Sequence, residues 1–119
     1  MKCLAAVLAL VSFSALAQHP DRPVTLVSGF PPGGMVDIVA RALAEGMRPK
    51  YPKGLVVLNR PGMGGAIAVG EILRSKPDGT TMTLAPKSAL IIQPQLHELP
   101  FKTPDDVTLI LNEIGRAHV

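Results

Sequence analysis

The residues best suited to binding chemistry are glycines that stand directly before predicted helices. Residues 29–34 read Gly-Phe-Pro-Pro-Gly-Gly, and a helical pattern begins at Met35. Gly33 and Gly34 have no side chain, so we expect their main-chain N–H groups to be uncovered. The amino end of a helix adds unpaired donors and a partial positive charge, which suit an anion. A strand-to-helix turn without a ligand explains these residues equally well, and both interpretations stay open.

Two further loops follow later strands. Residues 59–65 read Asn-Arg-Pro-Gly-Met-Gly-Gly, which departs from a dinucleotide fingerprint because Ile67 stands where its third glycine belongs. Arg60 is a candidate for binding a carboxylate, although its spacing alone favours a surface arginine. Residues 86–88 contribute Lys87, a cation for an acidic ligand or, as we favour, a solvated side chain.

Other chemistries lack the residues that they need. The chain has no Walker A sequence and no G-x-S-x-G turn, and His19 and His97 do not have metal-ligand spacing. Adjacent carboxylates at residues 105–106 are typical of a solvated turn. The formal net charge is only +3, and the basic residues are scattered without stacking aromatics. We therefore predict no catalytic residue, no metal, no cofactor and no nucleic-acid partner.

Both ends of the 119-residue chain are predicted to lie outside the folded domain. Residues 1–17 have a lysine, a short apolar stretch and an Ala-Leu-Ala site, which predict a signal peptide cleaved before Gln18 and a periplasmic protein. Residues 113–119 match the in-frame translation of a widely used sequencing adapter. We expect this tail to be non-native and the gene to continue past Asn112, so that residues 18–112 form one partial lobe.

Strand and helix patterns alternate along the rest of the chain. Helical spacing of apolar residues, and short runs typical of strands, predict a parallel α/β sheet with right-handed crossovers. We expect 55–58 to be a buried strand, and Ile67, Ile72 and Leu73 to form the apolar side of the second helix. The predicted strands are 24–28, 55–58, 81–85 and a fourth beginning over 108–111; the predicted helices are 35–50, 66–75 and 89–96. All three loops then fall at the carboxyl ends of strands, where such sheets bind ligands.

Several motifs in order carry a family resemblance: Phe-Pro-Pro-Gly-Gly at 30–34 with Asp-Ile-Val-Ala-Arg at 37–41, Asn-Arg-Pro-Gly at 59–62, and Pro-Asp-Gly-Thr at 77–80. With these motifs the chain resembles the substrate-binding proteins of tripartite tricarboxylate transporters, the TctC-like or Bug family. The resemblance implies the partial first lobe of a two-lobed, type II-like periplasmic binding protein. It also implies a non-catalytic receptor, monomeric at full length, that passes a small carboxylate to membrane permease subunits.

The resemblance also implies which residues bind the ligand, largely through backbone amides and ordered waters. Met35 and Val36 depart from the family pattern, which usually has small hydroxyl residues there. The residues alone leave open a phosphate- or nucleotide-using α/β enzyme and the sensor lobe of a signalling system. The implied ligand-binding residues are Phe30, Pro31, Pro32, Gly33, Gly34, Asp37, Gly64, Gly65, Lys87 and Ser88.

Overall fold

The structure, a computed structural model, describes residues 22–110. The predicted signal peptide and the predicted adapter-derived tail lie outside the described residues. Between residues 22 and 110, none of the helices combines the length and the apolar character that a membrane crossing needs.

Three parallel strands form the sheet, in the order β2-β1-β3: β1 is Val24–Ser28, β2 is Leu55–Asn59 and β3 is Thr81–Leu84. Val27 of β1 lies in register with Leu58 on one side and Thr83 on the other. Val24 and Val27 of this central strand are fully buried. The predicted parallel sheet is thus confirmed.

The helices are shorter than their sequence patterns predict, and prolines explain two of the breaks. The first helix ends at Met47, and Pro49 lies in the 3₁₀ turn that follows. The third pattern divides at Ile92, since Pro94 has no N–H to continue the helical bonds. The helices are α1 Met35–Met47, α2 Ala66–Arg74, α3 Lys87–Ile91 and α4 Gln93–Leu96, with 3₁₀ turns at Arg48–Lys50, Met63–Gly65 and Pro104–Asp106.

The strand order determines the faces of the sheet to which the chain crosses after each strand. The β1-α1-β2 connection runs in the opposite direction across the sheet from the β2-α2-β3 connection, so right-handed crossovers place α1 and α2 on opposite faces. Helix α1 contacts β1 and β2, whereas α2 contacts β3 and α3. The chain therefore leaves β1 towards one face and β3 towards the other. Ligands of open α/β sheets bind at such a divergence, beyond the carboxyl ends of the strands.

The second helix buries small residues, which corrects the predicted apolar side. Ile67 and Leu73 are 43% and 36% exposed. The helix instead turns Ala66, Ala68, Val69 and Gly70 inward, so it packs closely against its neighbours. The core on this side of the sheet consists of Ala66, Val69, Ala89, Leu90 and Phe101.

Two strand predictions are also corrected. Strand β2 is an edge strand, with Val56 56% exposed, because β1 is its one partner in the described sheet. Residues 108–110 are not a strand: Leu109 and Ile110 are exposed, and neither pairs with the sheet. Leu111 lies outside the described residues.

Replacement of Gly29 by alanine tests how tightly the loops pack. A Cβ on Gly29 would lie 2.5 Å from the Cα of Gly65, which is backbone and cannot swing aside. We expect Gly29→Ala to lower the free energy of unfolding by about 1–3 kcal/mol in urea denaturation of the gene product. Gly46→Ala is the matched control, because Gly46 is helical with open space around it and should gain about 0.5–1 kcal/mol. Equal effects of the two changes would contradict this packing.

Candidate functional site

The loops after the three strands converge on Gly65. Gly65 has a φ of 98°. Its Cα lies so near Gly29 of the first loop that a Cβ built on Gly29 would be 2.5 Å from it. A Cβ built on Gly65 would lie 3.5 Å from Phe30 Cε2 and 3.2 Å from Pro86 Cδ. The predicted meeting of the three loops at one edge of the sheet is therefore confirmed, with glycine required where their backbones approach.

Asp37 organises the first loop. Its carboxylate lies in the first turn of α1, and the residue is 2% exposed. Oδ2 accepts hydrogen bonds from the Gly33 N–H and from Arg41 Nε, each at 2.9 Å, while Oδ1 accepts one from Asn59 Nδ2 at 2.7 Å. We call Asp37, Arg41 and Asn59 the Asp37 cluster.

Asn59 ties the end of β2 to the same loop. Its Nδ2 also donates to the carbonyl oxygen of Phe30 at 3.0 Å, and its Oδ1 accepts from Arg41 Nη2 at 3.3 Å. The first loop is thus fixed near both ends, at the Phe30 carbonyl and at the Gly33 amide.

The hydrogen bonds of the Asp37 cluster keep its carboxylate charged. The Arg41 hydrogen bond, followed by those from Gly33 and Asn59, holds the pKa of Asp37 well below its usual range. The same interaction raises the pKa of Arg41. Each charge is compensated by the other, so this ion pair supplies no spare charge for a ligand.

The expectation that the amides of Gly33 and Gly34 are uncovered is wrong. Gly33 donates to Asp37, and Gly34 donates to the Pro31 carbonyl oxygen at 3.3 Å. Along α1, Ile38 is the first residue whose amide donates to a main-chain carbonyl, the Gly34 carbonyl oxygen at 3.0 Å.

The main-chain donors left unpaired are those of the next three residues. Within residues 22–110, no acceptor receives the N–H groups of Met35, Val36 and Asp37. These are the orphan donors that every helix has in its first turn. The unpaired main-chain donors at this edge therefore lie in the first turn of α1, directly after the two glycines.

The second loop is strongly turned and has its own ion pair. Gly62, Gly64 and Gly65 all have positive φ values. Arg60 Nε donates to Glu71 Oε2 at 3.0 Å, so the arginine that was a candidate for binding a carboxylate already has one within the protein.

The third loop is shorter than predicted. Lys87 and Ser88 are the first two residues of α3, not loop residues, and Pro86 precedes them as the N-cap. Both side chains are exposed, whereas the next residue, Ala89, is fully buried. Lys87 has no ion pair within the described residues.

Sequence reasoning assigned no role to two polar residues at this edge. The sequence analysis named Asn59 only as part of a motif. A polar residue at the end of a strand, beside a helix that begins with an aspartate, could have indicated the hydrogen bond to Asp37. Nothing in the sequence pointed to Gln93. The fold places its Nε2 beside Gly64, 2.9 Å from the position that a Cβ on Gly64 would take. The hydroxyl of Ser28 is buried without a partner, in register with Asn59.

Comparisons with known proteins agree with this architecture. The profile of the tripartite tricarboxylate transporter family receptor, TctC, matches residues 39–119. Protein BugT of Bordetella pertussis is 35% identical over 94 residues, which cover 75% of this chain and 28% of BugT. A solved periplasmic transporter is 32% identical, with a TM-score of 0.63 over 71% of this chain and 28% of its own. An R. palustris protein solved with adipate is 36% identical, with a TM-score of 0.53 over 56% of this chain and 22% of its own.

The chain belongs to the TctC family of periplasmic solute-binding proteins. It spans between a quarter and a third of the length of the curated relatives that it matches first. The sheet, the converging loops and the Asp37 cluster therefore make up one portion of a larger family architecture.

Loss of the Asp37 charge should change how stability depends on pH. The pKa of Asp37 is lower in the folded chain than its ordinary value of about 4, so the unfolded chain binds more protons in acid. The stabilisation is complete above that ordinary value and is lost as the pH falls below it. We expect Asp37→Asn to lower the urea midpoint at pH 7 and to flatten its decline in acid.

The exposed Asp105→Asn provides the matched control, since it removes a carboxylate without touching the first loop. Urea titrations at several pH values between neutral and about 2 measure the effect. Parallel acid profiles for the wild type and Asp37→Asn would show that the Asp37 cluster does not stabilise the fold.

Proposed function

We propose that the complete protein is a periplasmic receptor that captures a small carboxylate and delivers it to permease subunits of a tripartite transporter. The observation that carries this proposal is the first turn of α1, whose three N–H groups have no hydrogen-bond acceptor within residues 22–110. A carboxylate is the partner that such a turn favours, because it accepts several donors and complements the helix dipole. The family and the relative solved with adipate support the same ligand class.

In this proposal the first loop lines the approach to the site, and the amides of α1 donate the hydrogen bonds to the ligand. Phe30, Pro31 and Pro32 form the approach, while Gly33 and Gly34 keep side chains away from the carboxylate. Asp37 positions the turn and contributes its amide, because both of its carboxylate oxygens already accept internal hydrogen bonds.

The remaining implied residues lie around this turn. Gly64 and Gly65 bring the second loop against the first, and Lys87 and Ser88 begin the helix beyond Pro86, which packs on Gly65. We further propose that residues 18–112 form part of a first lobe, exported by residues 1–17, and that a second lobe closes over the ligand. Closure around the ligand would supply the remaining contacts.

Replacement of Met35 by proline isolates one proposed donor. Proline has no N–H but is well tolerated at the first position of a helix, and Gly34 already has the extended ψ of 166° that a following proline requires. Met35→Ala is the matched control that removes the same side chain and keeps the amide. We expect proline to weaken adipate binding roughly tenfold or more relative to alanine, with unchanged stability, in isothermal titration of the gene product. Equal affinities would contradict the proposed donor.

A thermal-shift screen separates a carboxylate receptor from a nucleotide enzyme. A ligand at about one hundred times its Kd stabilises the folded state by about 2.7 kcal/mol, so a specific carboxylate should raise the melting temperature by several degrees. ATP and the uncharged diamide of adipate are the controls, and neither should raise it. Stabilisation by ATP alone would favour the enzyme and defeat the receptor.

A further inference from the structure

The outer edge of β2 carries main-chain groups that the described sheet does not pair. Gly54 accepts a hydrogen bond from Val24, at the start of β1, and Arg60 donates one to Ser28, at its end. Successive residues of a strand direct their main-chain groups to opposite edges, so the even-numbered residues here bond to β1. The residues whose N–H and C=O groups point away from the sheet are Leu55, Val57 and Asn59. An unpaired edge of this kind is a template for an added strand.

A basic groove of about 780 Å³ lies beside this edge, between β2, the second half of α1 and the turn that joins them. Its charged residues are Arg41, Glu45, Arg48 and Lys53. Glu45 and Arg48 form an ion pair, but both side chains are mostly exposed, and such pairs are weak. Lys53, like Lys50 of the same turn, has no ion pair within residues 22–110. The groove therefore has a surplus of positive charge.

The two faces of β2 differ in chemistry beside the edge. The side chain of Asn59 bonds to Asp37 and Arg41 of α1, so Val57, two residues earlier, lies on the same face as the groove. Val56 lies on the other face and is 56% exposed. A strand added at this edge would turn its side chains alternately towards the basic groove and towards Val56. Acidic and aliphatic residues in alternation would complement both faces.

The chain continues from the opposite side of the sheet. Val107 lies near the end of the described residues, and Ala85 directly follows β3; both pack against the core that residues of α2 and α3 form. In the order β2-β1-β3, this side is separated from the edge of β2 by the other two strands. The position of Val107 therefore favours a separate polypeptide, and not the next segment of this chain, as the occupant of that edge.

We propose that the edge of β2 binds an extended acidic segment of another polypeptide, which adds a strand to the sheet and directs its carboxylates into the basic groove. In such complexes main-chain hydrogen bonds give the affinity and alternate side chains give the specificity. A lipid headgroup would neutralise the cations but has no main chain to pair with β2. The choice of partner rests on the proposed function, on which the segment belongs to a permease subunit.

Fluorescence anisotropy with labelled peptides of about eight residues, a usual strand length, tests the proposal on the complete gene product. The probe alternates glutamate and valine. One control peptide has the same composition with all glutamates before all valines, and a second has lysine in place of glutamate. We expect the alternating acidic peptide to bind at least roughly tenfold more tightly than either control, and added salt to weaken its binding.

Two variants assign the binding to the groove and to the edge. Lys53→Glu should weaken the peptide several-fold, whereas Lys102→Glu, the same charge change after Phe101 of the core, should leave it unchanged. Val57→Pro removes one outward N–H, at a position where an edge strand tolerates proline. We expect it to weaken the peptide roughly tenfold relative to Val57→Thr, which keeps the N–H, with melting temperatures measured in parallel. Should Val57→Pro fail to fold, the peptide controls and Lys53→Glu still decide.

Three results would overturn the proposal. Equal binding of the alternating peptide and its controls, or no peptide binding, would leave the basic residues as protection of an exposed strand edge. Binding to phosphatidylglycerol vesicles that Lys53→Glu abolishes, without peptide binding, would indicate a lipid surface. Adipate titrated into the same protein keeps the two proposals apart. Adipate binding without peptide binding retains the receptor and removes the docking edge, and peptide binding without adipate binding does the reverse.

Discussion

The site depends on one buried carboxylate. Asp37 accepts hydrogen bonds from the loop before its own helix, from the next turn of that helix and from the end of a neighbouring strand. These three bonds join β1, α1 and β2 where they meet. Because the carboxylate satisfies Gly33 from within, the donors that remain are those of the helix itself, at Met35, Val36 and Asp37. A ligand bound as we propose would therefore meet a preformed turn and would not have to order a glycine-rich loop.

The close contact between the backbones of Gly29 and Gly65 is a second constraint on the paths of the loops. Gly29 and Gly65 approach so closely that neither loop could retain its path with a larger residue at Gly29. Pro86 packs on the same glycine, so the loops after all three strands share one small volume. The contact lies where β1 and β3 send the chain to opposite faces of the sheet, which is where open α/β sheets bind ligands.

Periodicity and glycine placement in the sequence predicted the parallel sheet, the helices and the edge where the loops meet. They did not predict that β2 lies at the edge of the sheet, since the order of strands cannot be read from an apolar run of residues. They misplaced the buried side of α2, because close packing selected Ala68 and Gly70 over the larger Ile67. They also assigned the free amides to Gly33 and Gly34, because the return of Asp37 to Gly33 is a side-chain contact with no periodic signature. The family resemblance identified the class of protein, while the hydrogen-bond geometry showed which amides of the first turn of α1 are unpaired.

The most direct test of the central claim is an amide NMR titration of the complete, isotope-labelled protein with adipate. The Asp37 cluster predicts large shifts for the amides of Met35, Val36 and Asp37, with the Gly33 amide still bonded to its carboxylate and little changed. Shifts concentrated at Gly33 and Gly34, or far from the first turn of α1, would contradict the account.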